Sequence, residues 1–286
     1  MAKVKAEEAE RIGQGAAAPI KTVKIKVLRY DPERDRRPRY QSYEVPVAKG
    51  MTVLDALIWI KNNLDGSLSY RASCRMGICG SCGMLIDRKP RLACQTQVLE
   101  LDGDVVEVEP LPNFPNIKDL VPDLEPLFEK HQVIKPYLIR EDKKEQESPI
   151  GEYLQSPEEL EEYLQLSYCI KCGLCLSACP TVATDPLFLG PQALAQAYRY
   201  SADSRDEGFA ERLSVIDSDQ GCWRCHFAGA CTQVCPKGVD PALAIQLLKR
   251  RVLAYRLGFG RRRKGAPLSP FHPRPGIPKP PPRTVK

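Results

Sequence analysis

The chain has 286 residues, enough for two domains of ordinary size, and a formal net charge of +6. Residues 260–286 carry eight Lys or Arg and no acid, so the rest of the chain has a net charge of −2. Nucleic-acid binding usually needs a basic face on the folded domain, and a folded part so close to neutral gives no support for one. No run approaches the roughly 18 apolar residues that predict a membrane span.

The two ends of the chain are expected to lie outside the folded core. Residues 1–20 form an N-terminal extension that mixes acids and bases without an apolar stretch, which excludes a secretory signal and argues against mitochondrial import. Residues 260–286 form a basic tail with eight prolines, interpreted as a disordered arm, with contact to anionic lipid or a partner as the alternative. Without an export signal, the twelve cysteines favour metal or redox chemistry over disulfides.

Residues 21–112 have the pattern of a small mixed sheet over one helix. Strands are predicted at Lys21–Tyr30, Tyr40–Val47, Met84–Asp87 and Val105–Glu109, the first two joined as a hairpin. Thr52 is placed to cap the helical pattern that begins at Val53.

Residues 113–259 are predicted to form a helical domain, because a Pro-rich segment at 110–115 marks a domain boundary and helical patterns dominate after it. Helices are predicted at Lys118–Lys130, Pro157–Leu166, Pro191–Tyr200 and Asp240–Leu257. Pro157, Pro191 and Pro241 stand in first turns, where a helix tolerates proline.

The first cysteine set lies in and after the Gly-rich loop 73–83. Its members are Cys74, Cys79, Cys82 and Cys94, with the spacing C-x4-C-x2-C and a fourth cysteine further on. This is the plant-type [2Fe–2S] pattern, in which glycines allow the sharp turns that bring three thiolates onto two irons. Zinc sites prefer two C-x2-C pairs, and this loop has one, so the sequence predicts a [2Fe–2S] cluster.

The second and third sets come from two runs that each end in Cys-Pro. Residues 169–180 read C-x2-C-x2-C-x3-C-P, the bacterial ferredoxin run whose fourth cysteine ligates the neighbouring cluster. The other run has cysteines at 225, 231 and 235 but alanine at 228. The last cysteine of each run is expected to ligate the cluster of the other run. The predicted ligands are therefore Cys169, Cys172, Cys175 and Cys235 for [4Fe–4S], and Cys179, Cys225 and Cys231 for [3Fe–4S].

Ala228 decides the type of the third cluster. Its side chain has no donor atom, so a cubane at this place keeps three thiolates and loses one iron. Cys222 is the competing fourth ligand, and a small buried thiol is the preferred interpretation of it. A pair of interlocked zinc sites is the alternative for both runs, disfavoured by the Cys-Pro pattern.

The segments SYRASCRMGICGSC, CIKCGLCLSACP and RCHFAGACTQVCPKG together resemble the iron–sulfur subunit of succinate dehydrogenase and fumarate reductase, over roughly residues 21–257. The resemblance implies an α+β, β-grasp [2Fe–2S] ferredoxin domain followed by an all-α, α-helical ferredoxin domain. It implies electron transfer from a flavoprotein subunit with FAD, through the [2Fe–2S], [4Fe–4S] and [3Fe–4S] clusters, to a membrane quinone. Succinate dehydrogenase is the preferred direction, and fumarate reductase is the alternative.

The same resemblance implies a chain that is inactive alone. It would lie at the cytoplasmic face of a bacterial or archaeal plasma membrane, as a peripheral subunit held by membrane-anchor subunits. Residues implied near the quinone are Pro180, Thr181, His226 and Lys249. His226 is a candidate donor to a quinone oxygen, with packing on the cluster as the alternative. For Lys249 the alternative is a solvated face.

The quinone type stays open. Ubiquinone-using relatives often have a tryptophan shortly after the Cys-Pro, where this chain has Val182-Ala183-Thr184, and Trp223 is not an obvious substitute. Menaquinone is therefore an option.

Two other functions also stay open on the sequence. A ferredoxin-like subunit of a soluble thiol-linked oxidoreductase would keep two full [4Fe–4S] sites, against which Ala228 argues. A zinc or iron–sulfur module with a structural or regulatory role would hold few irons or zinc, against about nine irons for the three clusters.

Overall fold

The computed structural model describes residues 18–143, 147–148 and 151–259, and the backbone of residues 268–270. Its N-terminal half is built on a five-stranded mixed sheet. The strands are β1 (Lys21–Arg29), β2 (Arg39–Val47), β3 (Gly83–Ile86), β4 (Lys89–Leu92) and β5 (Val105–Glu109), in the order β2-β1-β5-β3-β4. Strand β1 is antiparallel to β2 and parallel to β5. Alternate residues of β1 are buried, which is the pattern that predicted the strand.

One helix, α1 (Val53–Asn63), packs against this sheet. The Thr52 hydroxyl accepts from the Asp55 N–H, and the Asp55 carboxylate accepts from the Thr52 N–H, so that two backbone donors of the first turn are satisfied. Leu54, Leu57 and Ile60 are fully buried on the face toward the strands. The predicted arrangement of a mixed sheet over one capped helix is therefore confirmed.

The C-terminal half is mainly helical. Its helices are α2 (Glu125–Val133), α3 (Pro157–Glu161), α4 (Leu164–Ser167), α5 (Leu174–Ser177), α6 (Pro180–Thr184), α7 (Gly190–Ala202), α8 (Phe209–Ile216), α9 (Ala230–Gln233) and α10 (Pro241–Arg256). Helix α7 packs against α10, and most of its residues are buried. The predicted helices near 191–200 and 240–257 are confirmed, whereas the one predicted over Pro157–Leu166 is split into α3 and α4.

The helix predicted over Lys118–Lys130 begins only at Glu125. Before it, β6 (Asn116–Lys118) and β7 (Val121–Pro122) form a small hairpin. The cause is Asp119, which is 1% exposed and whose carboxylate accepts from Arg29 Nε at 2.9 Å and from the Ser69 N–H. Its backbone is thus tied to the first half of the molecule instead of continuing a helix.

The description of the second half as all-α is corrected by two pairs of strands, the β6–β7 hairpin and a second pair. Strand β8 (Gly151–Tyr153) pairs antiparallel with β9 (Leu268–Pro270). Strand β9 belongs to the tail predicted to be disordered, so that prediction is wrong for residues 268–270. A Pro-rich segment can form this strand because an edge strand accommodates proline. The rest of the tail and residues 1–17 lie outside the described residues.

The two halves are joined by direct contacts. Leu111 and Leu174 belong to the same buried apolar cluster as the N-terminal sheet. The Asn113 side chain donates to the carbonyls of Leu176 and Ser177 at 2.9 and 3.1 Å, at the C-terminal end of α5. The Leu176 carbonyl also accepts from the Cys179 N–H at 3.2 Å, and Asn113 adds side-chain donors that cap the end of α5 and fix it to the first half.

A buried ion pair holds the segment that follows α2. Arg212 on α8 and Asp206 are both fully buried, with Nη1 and Oδ1 2.7 Å apart. The same guanidinium donates to the backbone carbonyls of Ile134, Lys135 and Tyr137. Because the pair is hydrogen-bonded on all sides, it fixes the path of this segment against α8.

No helix within the described ranges has the length and hydropathy needed to cross a lipid bilayer.

Candidate iron–sulfur sites

The loop between α1 and β3 holds three of the four cysteines of the first set. The N–H groups of Met76, Ile78 and Cys79 point at Cys74 Sγ, at 3.5, 3.3 and 3.2 Å. The N–H of Cys74, followed by that of Ser81, lowers the pKa of the Cys79 thiol to about 6. Inward-pointing N–H groups stabilise thiolates, so the loop is shaped for negatively charged sulfur.

The other two cysteines of this set, one at the end of the loop and one in a later turn, are buried. Cys82 precedes β3, and Cys94 lies in the short turn Ala93–Gln95, with the Cys94 N–H 3.5 Å from Cys82 Sγ. Burial raises the pKa of Cys82 to about 12. Bound iron would reverse this effect, because a metal deprotonates a coordinated thiol. The loop that carries Cys74, Cys79 and Cys82 thus lies beside the turn that carries Cys94, as the prediction for the first site requires.

The two runs of the helical half have the same backbone shape, 56 residues apart. Lys171 and Phe227 occupy equivalent places and have φ values of +54° and +59°, which non-glycine residues rarely adopt. The glycines two residues further on, Gly173 and Gly229, have φ values of +83° and +76° and precede the four-residue helices α5 and α9. The repeated backbone shape indicates two equivalent ligand loops.

This equivalence places Ala228 where the first run has Cys172. The remaining cysteines of the two runs match one to one: Cys169 with Cys225, Cys175 with Cys231, and Cys179 with Cys235. The second run therefore has the same cysteine spacing as the first, except that a methyl group stands at one of the four cysteine positions.

A cavity beside α5 and α7 is lined by Cys169, Cys172, Cys175 and Cys235. Three of these residues come from the first run and the fourth from the second. Burial raises the pKa of Cys172 to about 12 and that of Cys175 well above its ordinary value. The cavity thus collects the four cysteines predicted for [4Fe–4S].

A second cavity is lined by Cys179, Cys225 and Cys231, with Ala228 in its wall. Burial raises the pKa of Cys231 to about 11, and the neighbouring Cys179 and Cys225 thiols add to this rise. Each cavity therefore includes the last cysteine of the other run, as the crossover prediction requires.

Cys222 is not among the described residues that line either cavity. It is fully buried in the apolar cluster that contains Ile216 and Leu248. Burial raises the pKa of its thiol to about 11. This environment supports the interpretation of Cys222 as a packed thiol rather than a ligand.

All three sets offer thiolate donors, which suit iron–sulfur clusters and structural zinc alike. A zinc ion gathers its sulfur ligands about 2.3 Å from one point, whereas a cluster distributes them over several irons. In the part of the chain that the structure describes, no three His, Cys, Asp or Glu side chains are gathered to hold a single metal ion. The spacing of the cysteines, with two runs that each end in Cys-Pro, is that of iron–sulfur ligands, so this donor set fits such clusters.

Three of the four residues expected near the quinone line the second cavity: Pro180, Thr181 and His226. Lys249 does not line it. Its Nζ donates to the carbonyl of Cys225 at 2.9 Å and lies 6.0 Å from the centre of the Trp223 ring. Lys249 therefore supports the ligand loop from behind.

The sequence reasoning missed two buried glutamines of α7, Gln192 and Gln196, which line the cavity predicted for [4Fe–4S]. Gln192 on α7 is 2% exposed and lines the cavity. A glutamine on the buried face of an amphipathic helix is unusual, and that misfit with the helical pattern is the signal that identifies it.

The comparison with domain families matches both halves. Residues 24–129 match the family described as "2Fe-2S iron-sulfur cluster binding domain". Residues 165–239 match the family described as "4Fe-4S dicluster domain".

Similar curated proteins extend over most of the chain. It is 50% identical over 227 residues to the fumarate reductase iron-sulfur subunit of Mycobacterium tuberculosis, covering 79% of this chain and 90% of that relative. It is 43% identical over 232 residues to the succinate dehydrogenase iron-sulfur subunit of Paracoccus denitrificans, covering 80% and 88%. Among solved structures, a chain of "Mycobacterium smegmatis Sdh1 complex in the apo form" is similar with a TM-score of 0.74 and 28% identity, covering 84% of this chain and 98% of that one.

Proposed function

Because the chain belongs to the family of iron–sulfur subunits of succinate dehydrogenase and fumarate reductase, we propose that its three cysteine sets hold the clusters of one electron path. The proposed ligands are Cys74, Cys79, Cys82 and Cys94 for [2Fe–2S], Cys169, Cys172, Cys175 and Cys235 for [4Fe–4S], and Cys179, Cys225 and Cys231 for [3Fe–4S]. When bound, the clusters supply one-electron carriers whose potentials depend on burial, charge and hydrogen bonds to sulfur. The observation that carries the proposal is the 56-residue repeat with alanine at one ligand position.

The packing of the cysteines supports the order of the path. Cys172 packs against the apolar cluster that contains Cys82 and Cys94 of the first site. Cys175 packs against the other large cluster, together with Cys179 and Cys225. The [4Fe–4S] site therefore contacts the surroundings of both other sites and takes the middle position.

The two ends of this path differ in their exposed surfaces. Beside the first site, Met76 and Ile78 are 66% and 53% exposed. Beside the third site, Phe227, which lines its cavity, is 59% exposed. Exposed apolar side chains at both ends fit docking surfaces for two partners. We assign the first end to a flavoprotein subunit with FAD and the second to membrane-anchor subunits at the cytoplasmic face of the membrane.

The proposed reaction is succinate oxidation coupled to reduction of a membrane quinone. Pro180, Thr181 and His226 border the quinone in this assignment, and Lys249 orders the loop behind it. The exposed His226 is the proposed donor to a quinone oxygen. Relatives named as fumarate reductase subunits support the reverse reaction as the second candidate.

The test uses the purified complex with the variant Cys225→Ser. We expect quinone reduction by succinate to stop, while reduction of a dye by the flavin stays largely intact. Low-temperature EPR of the oxidised wild type should show the [3Fe–4S] signal, and the variant should lack it. Quinone turnover that survives loss of the cluster would contradict the proposed path.

The matched control is Cys222→Ala, which removes a neighbouring thiol that lines neither cavity. The oxidised signal should remain in this variant. If it disappeared, the division of the cysteines among the sites would be wrong. An oxidised wild type without any signal would favour two [4Fe–4S] sites and a soluble thiol-linked oxidoreductase.

A further inference from the structure

Helix α10 is apolar on two sides. Ile245, Leu248 and Val252 recur at helical spacing and are buried in an apolar cluster of the helical half. On its outward side, Leu253 and Leu257 are 47% and 72% exposed. A surface helix is ordinarily polar on the side that faces away from the core, so exposed leucines at this place mark a contact surface.

The outward side extends over the whole helix and the turn after it. Arg250 stands three residues before Leu253 and seven before Leu257, and it is exposed. Phe259 is 70% exposed, and Leu243, seven residues before Arg250, is exposed as well. We call this surface the outer face of α10, and its members are Leu243, Arg250, Leu253, Leu257 and Phe259.

The outer face borders the third site. Ala242 and Ile245 of the same helix line the cavity of that site. Lys249 Nζ donates to the carbonyl of Cys225 at 2.9 Å, and Leu253 follows one turn after Lys249. The helix therefore forms part of the wall of the third site, and its outer face continues the end of the molecule that is assigned to the membrane.

The charge of α10 is of one sign. Between residues 241 and 256 the helix has four cations and no acid. Arg256 is paired with Asp217 at 2.7 Å, whereas Arg250 stands exposed among the leucines of the outer face. Residues 260–286 follow in the sequence with eight further Lys or Arg and no acid. Exposed apolar side chains next to cations are typical of segments that lie on anionic membrane surfaces.

We propose that the outer face of α10 binds the headgroup region of an anionic lipid leaflet and holds the third site against the membrane, beside the anchor subunits. This contact rests on the membrane assignment proposed above. Leu253, Leu257 and Phe259 enter the boundary between headgroups and acyl chains, and the Arg250 guanidinium stays at the level of the lipid phosphates. An anionic bilayer satisfies the apolar side chains and the cation at once.

The experiment is co-sedimentation of the full chain, loaded with its clusters, with vesicles of phosphatidylglycerol and phosphatidylcholine or of phosphatidylcholine alone. We expect binding to the anionic vesicles only, weakened by added salt. Arg250→Gln should weaken this binding by about fivefold, the effect of one cation near an anionic surface. Equal binding to both kinds of vesicle, or binding to neither, would overturn the proposal.

Leu257→Gln tests the apolar part of the contact, because it leaves the charge unchanged and should also weaken binding. The matched controls are Leu64→Gln and Arg36→Gln, which change an exposed leucine and an exposed arginine of the N-terminal half. Both controls should bind vesicles as the wild type does. Losses in the controls as large as those in α10 would show that the contact is not specific to the outer face.

Iron content and the oxidised EPR signal are measured on the same samples. A missing [3Fe–4S] signal in the wild type would contradict the cluster assignment, whereas vesicle binding reports on the outer face. Unchanged iron content in a variant shows that its helical half is folded. If Leu257→Gln bound vesicles normally but lost the anchor subunits when the complex was purified, a protein partner would cover this face and the lipid contact would be wrong.

Discussion

Gly80, in the loop of the first cysteine set, lies so close to Cys172 of the second that a β-carbon added to Gly80 would be 2.7 Å from the Cys172 β-carbon. The same added atom would be 2.9 Å from the Cys172 α-carbon. Gly83 is also in contact, since its added β-carbon would be 3.3 Å from the Cys172 carbonyl oxygen. At Gly80 the loop of the first cysteine set therefore contacts Cys172 of the second set directly.

Gly80→Ala should separate these two loops. The added methyl group cannot fit against Cys172, and Gly80 has a φ of +74°, which costs an L-residue about 1–2 kcal/mol. We expect slower electron transfer from the first cluster to the second. Rapid-freeze EPR after addition of succinate would follow the reduction of each cluster in turn.

Gly50→Ala is the matched control for that variant. Gly50 has a φ of +81°, but an added β-carbon there meets nothing within 4 Å. It should lower stability by a similar backbone strain and leave the transfer rate unchanged. Equal rates for both variants would show that the close contact with Cys172 has no role in transfer.

Ala228→Cys should complete the third site. The new thiol would stand at the place equivalent to Cys172, in the wall of the cavity that holds three cysteines. We expect a [4Fe–4S] cluster, a rise from about nine to about ten irons per chain, and loss of the oxidised [3Fe–4S] signal. Iron analysis and low-temperature EPR provide the measurements.

Ala230→Cys adds a thiol to the same loop at a position whose counterpart in the first run is Leu174, not a cysteine. This control should keep the three-iron signal. If Ala228→Cys also kept it unchanged, the two runs would not be equivalent in the way the backbone indicates.

Arg212→Met should destabilise the helical half by about 3–5 kcal/mol, because it leaves the Asp206 carboxylate buried without its partner. Denaturant unfolding of the loaded protein measures the loss. The control is Glu211→Gln, on the same helix as Arg212, which breaks the more exposed ion pair between Glu211 and Lys135. It should lower the free energy of unfolding by less than about 1 kcal/mol. Similar losses for both would mean that the Arg212 pair is solvated.

The stability of the protein should decrease as the pH falls from about 6.5 to about 4, in part through His131. Burial lowers the pKa of this residue from 6.5 in the unfolded chain to about 4 in the folded one. Between these values the unfolded state binds the extra proton, so lowering the pH favours unfolding, with a slope below about 1.4 kcal/mol per pH unit. His131→Gln, which cannot titrate, should flatten the dependence of the melting temperature on pH. Identical profiles for both proteins would contradict this assignment.

The elements that depend on local pattern were predictable from the sequence. The alternation in β1 and the cap at Thr52 act through neighbouring residues. The start of α2 was predicted wrongly because Asp119 is held by Arg29, ninety residues away along the chain. Strand β4 was missed since its four residues include Pro90 and form a strand only by pairing with β3.

The same distinction between local sequence pattern and distant contacts applies to the candidate sites. Cysteine spacing reveals ligands because a cluster fixes the distances between them, and Ala228 is visible as a gap in the spacing. Gln192 and Gln196 enter the wall of the predicted [4Fe–4S] cavity from α7, a helix that carries no cysteine. No spacing rule relates them to the cysteines, so only the folded arrangement reveals them.

The exchange of final cysteines between the two runs has a consequence for biogenesis. On the proposed assignment, a nascent polypeptide that ends before Cys231 can complete neither site, although most of its thiols have already been synthesised, and one that ends before Cys235 still lacks the last ligand of the [4Fe–4S] site. At about 5–20 residues per second, the 56 residues between equivalent positions take roughly 3–11 s to synthesise. Iron delivered earlier would meet incomplete ligand sets, so maturation of the helical half has to wait for nearly complete translation.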